Sequence, residues 1–253
     1  MEGTPMLQTA LVVPCYNEAQ RFPLETFRAF LEERPSVSLM LVNDGSKDAT
    51  SKVLEGLRQL FPERVFVIDR QVNRGKAESV REGMLAALDL AHMPDVVGFW
   101  DADLATPLDA VYQLLPVLEA RPEVAMVFGA RVALLGREIR RKAARHYLGR
   151  VFATTVSVML GLPIYDTQCG AKLFRVGPQT RELFREEFSS RWVFDVEIIA
   201  RWLKVNRFDR ELVKGSIYEF PLHKWEDVGG SKVKPYDFIL AFRDVLRIYG
   251  RYF

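Results

Sequence analysis

The sequence predicts an α/β fold: a mostly parallel central sheet flanked by helices, Rossmann-like in its first half. Two observations carry this. Short apolar runs alternate with amphipathic helical stretches, and each apolar run ends in a cluster of polar and turn residues. That alternation implies right-handed βαβ units, which place helices on both faces of one sheet. With 253 residues, 49% hydrophobic and 27% charged, the chain can fill a sizeable core and still present a solvated surface.

The elements follow in order. Residues 10–13, 39–42, 65–68, 96–100 and 124–128 are short apolar runs bounded by turn residues, as buried strands require. Helical spacing covers 22–33, 49–61, 76–91 and 108–120 between and after them. The second half is less regular. A helix is expected over 137–162, basic at first and apolar later, then a loop over 163–172. A helix at 193–203, a strand at 216–220, a loop holding Trp225 and Gly229-Gly230-Ser231-Lys232, and a last helix at 236–252 complete the chain. No linker separates the halves, so one domain is expected.

Composition excludes several classes. A formal net charge of +2 is too weak to argue for nucleic acid. Cys15 and Cys169 form no CxxC pair or Cys/His cluster, which argues against zinc and suits a reducing compartment. The N-terminus lacks the basic and apolar blocks of a secretory signal. The longest uncharged stretch, 151–165, is short for a bilayer span of about 20 residues.

Chemistry concentrates where the predicted strands end: Pro14 to Glu18, Asn43 to Ser46, Asn73 to Lys76, and Asp101 to Asp103. In an open α/β sheet, ligands bind outside the carboxyl ends of the strands. Asp101 and Asp103 flank Ala102, and paired carboxylates there suit Mg²⁺ or Mn²⁺ completed by substrate phosphates. Such an ion would neutralise a diphosphate as its bond to a sugar breaks; a helix cap before Thr106-Pro107 is the plainer reading. A carboxylate at Asp44 can accept the imide N–H of uracil, while Ser46 or Asp48 caps the next helix. Gly75 permits a tight turn. Arg74 and Lys76 beside it oppose the dipole of the helix they open, which points to an anionic ligand unless the turn is simply solvated.

The segments VVPCYNEAQRF, VNDGSKDAT, NRGKAESVREG and DADLATP resemble the donor-binding half of glycosyltransferase family 2, which has a GT-A fold. DTQCGAKLF at 166–174, RWVFDVEII at 191–199 and KWEDVGGSKVKP at 224–235 look like the dolichyl-phosphate β-glucosyltransferases of that family. The resemblance implies a donor-binding half over about 8–130 and an acceptor- and membrane-facing half over about 131–253. It implies that Pro14, Tyr16, Asn17 and Glu18 line the nucleotide pocket, that Asp44 reads the uracil, and that Asp101, Ala102 and Asp103 hold metal and diphosphate, with Lys76 beside them. Arg131 would face an acceptor phosphate. Asp166, Gln168 and Lys172 would shape an acceptor loop, and Ser231 and Lys232 would close over the phosphates. The loop of mannose-transferring relatives differs from DTQCG, which favours glucose from UDP-glucose. Two departures from the resemblance bear on what is expected: no counterpart of the N-terminal membrane anchor of the eukaryotic enzymes is expected from this sequence, and Gly170-Ala171-Lys172 replaces Gly-Phe-Lys.

Family 2 enzymes invert the anomeric centre. A hydroxyl acceptor would need a general base, for which Asp195 is the candidate. A lipid phosphate, with a second pKa of roughly 6, is already ionised and needs cations instead. Arg131, Arg137, Arg140, Arg141, Lys142, Arg145 and Arg150 supply them against one acid, Glu138. This basic face would rest on anionic headgroups and draw in the acceptor phosphate. In the last helix, Phe238, Phe242, Val245, Tyr249 and Tyr252 share a side that either packs on the core or lies in a membrane interface; residues 151–162 pose the same choice. The expectation is therefore glucosyl transfer from UDP-glucose to a polyprenyl phosphate, by a protein peripheral to the cytoplasmic membrane face. A separate membrane-anchoring partner or a homo-oligomer is the further partner expected. The alternatives are another nucleotide-sugar, a lipid or glycan hydroxyl acceptor, or a nucleotide-sugar-binding subunit without turnover. Nucleotidylyl transfer lacks its glycine-rich signature at Val12 to Tyr16.

Overall fold

The computed structural model describes residues 7–140, 143–228 and 235–253, without the side chains of 143–146 and 235–239. In chain order the elements are β1 (Thr9–Cys15), α1 (Leu24–Glu33), β2 (Val37–Asp44), α2 (Thr50–Leu60), β3 (Val65–Arg70), α3 (Lys76–Leu88), β4 (Val96–Trp100), α4 (Val111–Ala120) and β5 (Met126–Ala130). There follow β6 (Glu138–Arg140), α5 (Ala143–Leu160), β7 (Ala171–Arg175), α6 (Pro178–Arg185), α7 (Phe194–Val205), α8 (Arg210–Ser216), β8 (Ile217–Pro221), β9 (Lys224–Glu226) and α9 (Pro235–Tyr252). The chain forms two compact units. One takes the chain to Leu104 and returns for Ala171–Arg185; the other holds Ala105–Gly170 and Glu186–Phe253.

The first unit is built on strands in the order β3-β2-β1-β4-β7. β1 to β4 run parallel, with Leu11 level with Leu39 and Gly98, and β7 returns antiparallel with Phe99 opposite Lys172. Near-continuous burial of β1, β2 and β4 fits a sheet covered on both faces. α3 lies close on this sheet because Gly83 has no side chain: a Cβ there would sit 2.3 Å from a Val12 methyl. α1 begins at Leu24, after Pro23 at its N-cap, and Phe22 stacks on Phe27 at 4.7 Å as a hydrophobic staple.

In the second unit β5 runs parallel to β8, and β6 runs parallel to β9 with Ile139 level with Trp225. α7 is its core helix, with Ile198, Ile199 and Leu203 fully buried. α9 packs on it through a polar clasp. The buried Glu197 carboxylate accepts from Arg201 at 2.9 Å, the Tyr252 hydroxyl at 2.8 Å and the Ser189 N–H at 2.7 Å.

The five predicted strands and the helices between them form, with ends shifted by a few residues. The expected helix over 137–162 is corrected: 138–140 are β6, whose Ile139 lies between two exposed neighbours, and α5 starts only at Ala143. The loop expected over 163–172 ends at β7, which was not foreseen; nor were α6, α8 and β9. Three to eight residues give too few periods for a pattern to show. In α9, Val245 and Ile248 are buried and Phe242 packs edge-on against Phe152 at 5.6 Å. Phe242, Val245 and Tyr252 of the face considered for a membrane thus pack on the protein, Tyr249 is 45% exposed, and the side chain of Phe238 lies outside the described residues. Among the described residues no helix is long and apolar enough to cross a membrane.

Burial, and then the negative charge of Glu197, hold the Tyr252 phenol above the usual tyrosine range, with Arg201 opposing. A raised folded-state pKa adds stability that is complete below the unfolded value of about 10 and is lost as pH climbs through the folded value. Tyr252→Phe is therefore expected to be less stable by about 1–2 kcal/mol at pH 8, since it removes a hydrogen bond to a buried charge. Urea unfolding should show that gap narrowing above about pH 10; a constant gap would contradict the assignment.

Candidate active site

The carboxyl ends of β1, β2, β3 and β4 carry the polar clusters picked out in the sequence. Asp44, the last residue of β2, is buried. Its Oδ1 accepts from the Arg74 N–H at 2.8 Å and from Arg70 Nη1 at 3.2 Å, and its Oδ2 accepts from the Gly75 N–H at 2.7 Å. Its carbonyl accepts from Asn73 Nδ2 at 3.1 Å. The turn that opens α3 therefore hangs on one carboxylate. A carboxylate offers about four acceptor directions, so one remains beyond these three bonds. Gly45 next to it has φ +63°, and a Cβ there would meet Asn73 N at 2.6 Å.

The loop after β1 is held in the same way. The Asn17 N–H donates to Ser46 Oγ at 2.9 Å, Glu18 N–H to Thr50 Oγ1 at 2.8 Å and Ala19 N–H to Asp48 Oδ2 at 3.1 Å. Asn17 Oδ1 in turn accepts from the Lys47 N–H at 2.9 Å, and Asn17 sits at φ +52°, a region asparagine tolerates. Ser46 and Asp48 thus tie two loops together. The expected cap is corrected: the N-cap of α2 is Ala49, with no side-chain bond, and Asp48 Oδ1 accepts from Thr50 N at 3.0 Å. Desolvation acts to raise the Asp48 carboxyl, but hydrogen bonds from Thr50 and Ala19 outweigh it and hold it below the usual range. Pro14 lies within β1 and is half-buried, as is Tyr16 beyond it. Glu18 is nearly buried and pairs with Arg21 at 2.6 Å.

At the end of β4, Ala102 is buried between the half-exposed Asp101 and Asp103. The chain turns tightly there: the Leu104 N–H reaches the Asp101 carbonyl at 3.2 Å, and Leu104 takes φ +52°. A leucine in that region costs roughly 1–2 kcal/mol, and such strain concentrates at functional sites. Lys76, the first residue of α3, places Nζ 2.5 Å from Asp101 Oδ1. Arg74 lies 3.3 Å from Glu78. The two cations that looked misplaced at a helix start thus each meet an acid of the same unit. No group of three or more His, Cys, Asp or Glu gathers to hold a metal among the described residues. Two carboxylates at a strand end fit Mg²⁺ or Mn²⁺ when phosphate oxygens complete the shell, and Lys76 marks Asp101 as a place where positive charge settles.

In the second unit, Arg131 and Asp166 form a bidentate pair, Nε to Oδ2 and Nη2 to Oδ1 both at 2.7 Å, with the Arg131 guanidinium 5.3 Å from the centre of the Trp225 ring. Glu219 accepts the Tyr165 and Asp166 N–H groups at 2.8 and 2.7 Å, and the Gln168 N–H donates to Asp166 at 3.1 Å. Residues 165–168 are thereby fixed from both sides. Gln168 Nε2 is buried with no hydrogen-bond partner. The fork of Arg131, assigned to an acceptor phosphate, is held by Asp166. Lys172 belongs to β7 in the first unit, fully buried, with Nζ 5.3 Å from the centre of the Phe99 ring. Asp195 is buried at the start of α7. Ser231 and Lys232 lie outside the described residues, as does the side chain of Arg145.

Sequence reasoning missed Arg70, Asp69 and Glu219, and placed Trp225 in a loop where it lies in β9. Asp69 bonds Asn43 and Ser51, each at 2.6 Å. A charged residue inside or just ending an apolar strand was the available signal, as in Asp69-Arg70 and the Tyr218-Glu219-Phe220 run.

A mostly parallel sheet with strand-end loops tied side by side and a carboxylate pair closing β4 is an α/β arrangement whose polar groups gather where open sheets bind ligands. The chain belongs to glycosyl transferase family 2, whose model matches residues 10–179. It is 33% identical to the dolichyl-phosphate beta-glucosyltransferase of Drosophila melanogaster, over all of this chain and 77% of that one. Identity to the enzymes of that name is 33% for Homo sapiens, over 98% of this chain and 77% of that one, and 31% for Saccharomyces cerevisiae, over 88% and 68%. Among solved structures, glucosyl-3-phosphoglycerate synthase from Mycobacterium tuberculosis shares the fold. Its complex with uridine-diphosphate gives a TM-score of 0.65 at 19% identity, covering 96% of this chain and 80% of that one. Its complex with Mn²⁺ and uridine-diphosphate-glucose gives 0.67 at 18% identity, covering 96% and 79%.

Asp44→Asn turns an amide N–H₂ toward a backbone N–H or Arg70 and should destabilise by about 2 kcal/mol, or roughly 4–8 °C in Tm. Asp101→Asn removes only a half-exposed pair and should shift Tm by no more than about 2 °C. Differential scanning fluorimetry checks both; equal shifts would contradict the clamp.

Proposed function

We propose that this glycosyltransferase moves glucose from UDP-glucose to a polyprenyl phosphate of the dolichyl type, with inversion, at the cytoplasmic face of a membrane. The observation that carries the reading is identity to dolichyl-phosphate beta-glucosyltransferases along all of this chain rather than along its nucleotide-binding part alone. Pro14, Tyr16, Asn17 and Glu18 would bound the nucleotide, with the free acceptor direction of Asp44 turned to the uracil imide. Asp101 and Asp103 would hold Mg²⁺ or Mn²⁺, which supplies positive charge against the diphosphate. Lys76, already beside Asp101, would move its charge to a phosphate oxygen.

The acceptor's phosphate, with a second pKa of roughly 6, is an anion at neutral pH. One of its oxygens attacks C1 of glucose opposite the leaving group; the new C1–O bond forms as the C1–O bond to UDP breaks, and UDP departs with the electron pair. No proton has to be removed from the nucleophile. Asp195 would act as a base only on a hydroxyl acceptor. The Arg131–Asp166 pair is a positioning element in this scheme: it fixes the loop that carries Gln168, whose amide donor is left for a sugar hydroxyl or phosphate oxygen. The outer face of α5, with Tyr147, Val151 and Val158 exposed, offers a surface for peripheral attachment.

Incubation with UDP-glucose and dolichyl phosphate, with mass spectrometry of the lipid, should give a hexosyl-phosphopolyprenol that disappears with EDTA and falls at least about a hundredfold in Asp103→Ala. Full activity of that variant, or no product from any polyprenyl phosphate, would contradict the reading. Gln168→Ala should lower kcat/KM about tenfold with Tm unchanged, because the amide donor it removes makes no bond in the protein itself. A lower Tm with normal kinetics would assign Gln168 to the fold instead.

A further inference from the structure

Between β5 and β6 the chain makes a turn of unusual composition. Leu134-Leu135-Gly136-Arg137 closes with the Arg137 N–H on the Leu134 carbonyl at 3.1 Å. Gly136 takes φ +80° at the third position, where a type II turn requires a positive φ. Turn tips normally carry Gly, Pro, Asn, Asp or Ser. Here Gly136 shares the tip with Leu135, 105% exposed and as open as in an extended chain, and Leu134 before it is 49% exposed. The base of the turn is pinned. The Glu138 N–H donates to the His223 carbonyl at 2.9 Å, β6 pairs with β9, and the Asp227 N–H closes on the Arg140 carbonyl at 3.1 Å.

On this fixed turn Leu135 is fully wetted and Leu134 half-covered by the described residues. The chain around them points to what covers them. Arg137 closes the turn and Arg140 follows it, mostly exposed. The sequence adds Arg141, Lys142 and Arg145 against Glu138. Leucines followed along the chain by a run of cations match a bilayer with anionic headgroups, where leucine enters the acyl boundary and arginine stays with phosphate. A second copy of the chain would bring like charges together, which disfavours self-association through this face.

We propose that the Leu134–Leu135 turn is a membrane-insertion tip that seats the second unit on an anionic lipid bilayer. This deepens the reading given above and rests on it for the view that the acceptor is a lipid. The turn lies apart in sequence from α5 and α9, so the proposal separates from docking by either helix.

The test uses the full chain with Leu135→Cys carrying an environment-sensitive fluorophore. Labelling is selective because Cys15 and Cys169 are both buried. With vesicles of phosphatidylcholine and phosphatidylglycerol, the label should shift to the blue and be quenched by a quencher attached to the lipid tails. In flotation with the same vesicles, unlabelled Leu134→Ser/Leu135→Ser should bind on the order of a hundredfold more weakly than wild type, about tenfold per leucine. The proposal is overturned if the label stays in water while the protein floats with the vesicles, if the double variant floats like wild type, or if wild type does not bind. None of these readouts needs an acceptor. Transfer to a short-chain, water-soluble polyprenyl phosphate without vesicles is measured alongside and should be equal in wild type and the double variant. Its absence from wild type would remove the glucosyl-transfer reading and leave the docking result standing.

Discussion

The first unit depends on one buried carboxylate. Parallel strands deliver their loops to the same edge of a sheet, and each loop brings backbone N–H groups that its own strand no longer satisfies. Asp44 answers for the turn after β3 by taking the N–H groups of Arg74 and Gly75 together with the Arg70 guanidinium. Ser46, Asp48 and Thr50, a few residues on, answer for the loop after β1. The side chains of one βα loop thus set the path of the loops on both sides of it. Lys76 can reach Asp101 because the turn that precedes it is held in this way.

The second unit repeats the principle with other residues. Glu219, on β8, accepts the two N–H groups of Tyr165 and Asp166, and Asp166 engages Arg131 and the Gln168 N–H. Breaking a buried pair leaves an unpaired charge, so an arrangement like Arg131–Asp166 holds a loop in place more surely than it stabilises the protein. The loop so held presents Gln168, an amide whose buried donor has no partner in the protein. In both units a buried acid that accepts backbone N–H groups sets the path of a loop.

Much of the fold was legible in the sequence. β1 to β5 and the helices around them declare themselves through apolar runs long enough for a period to register. β6 and β9 did not, because three residues cannot show alternation and Ile139 finds its place only by pairing with Trp225's strand. β7 was hidden because its identity comes from β4, a partner more than seventy positions earlier. The candidate site was legible as a set of strand-end clusters. What each member does was not. Asp44 looked like a ligand for a base, yet most of its bonding serves the chain. Arg131, expected to face an acceptor phosphate, has its fork held by Asp166. Both partners are distant in sequence, and no spacing rule reports them. The two leucines just after Arg131 gained meaning only from the turn that exposes them.

A nucleotide-diphosphate site at the end of β4, completed by a divalent cation on Asp101 and Asp103, is the central claim. Isothermal titration of UDP into the protein with Mn²⁺, and again with EDTA, tests it without any acceptor or membrane. Affinity should fall at least about tenfold when the metal is withdrawn, a loss of roughly 1.4 kcal/mol. In Asp101→Asn/Asp103→Asn the two titrations should give the same weak affinity. Equal, undiminished affinity with and without metal in the wild-type protein would contradict the account.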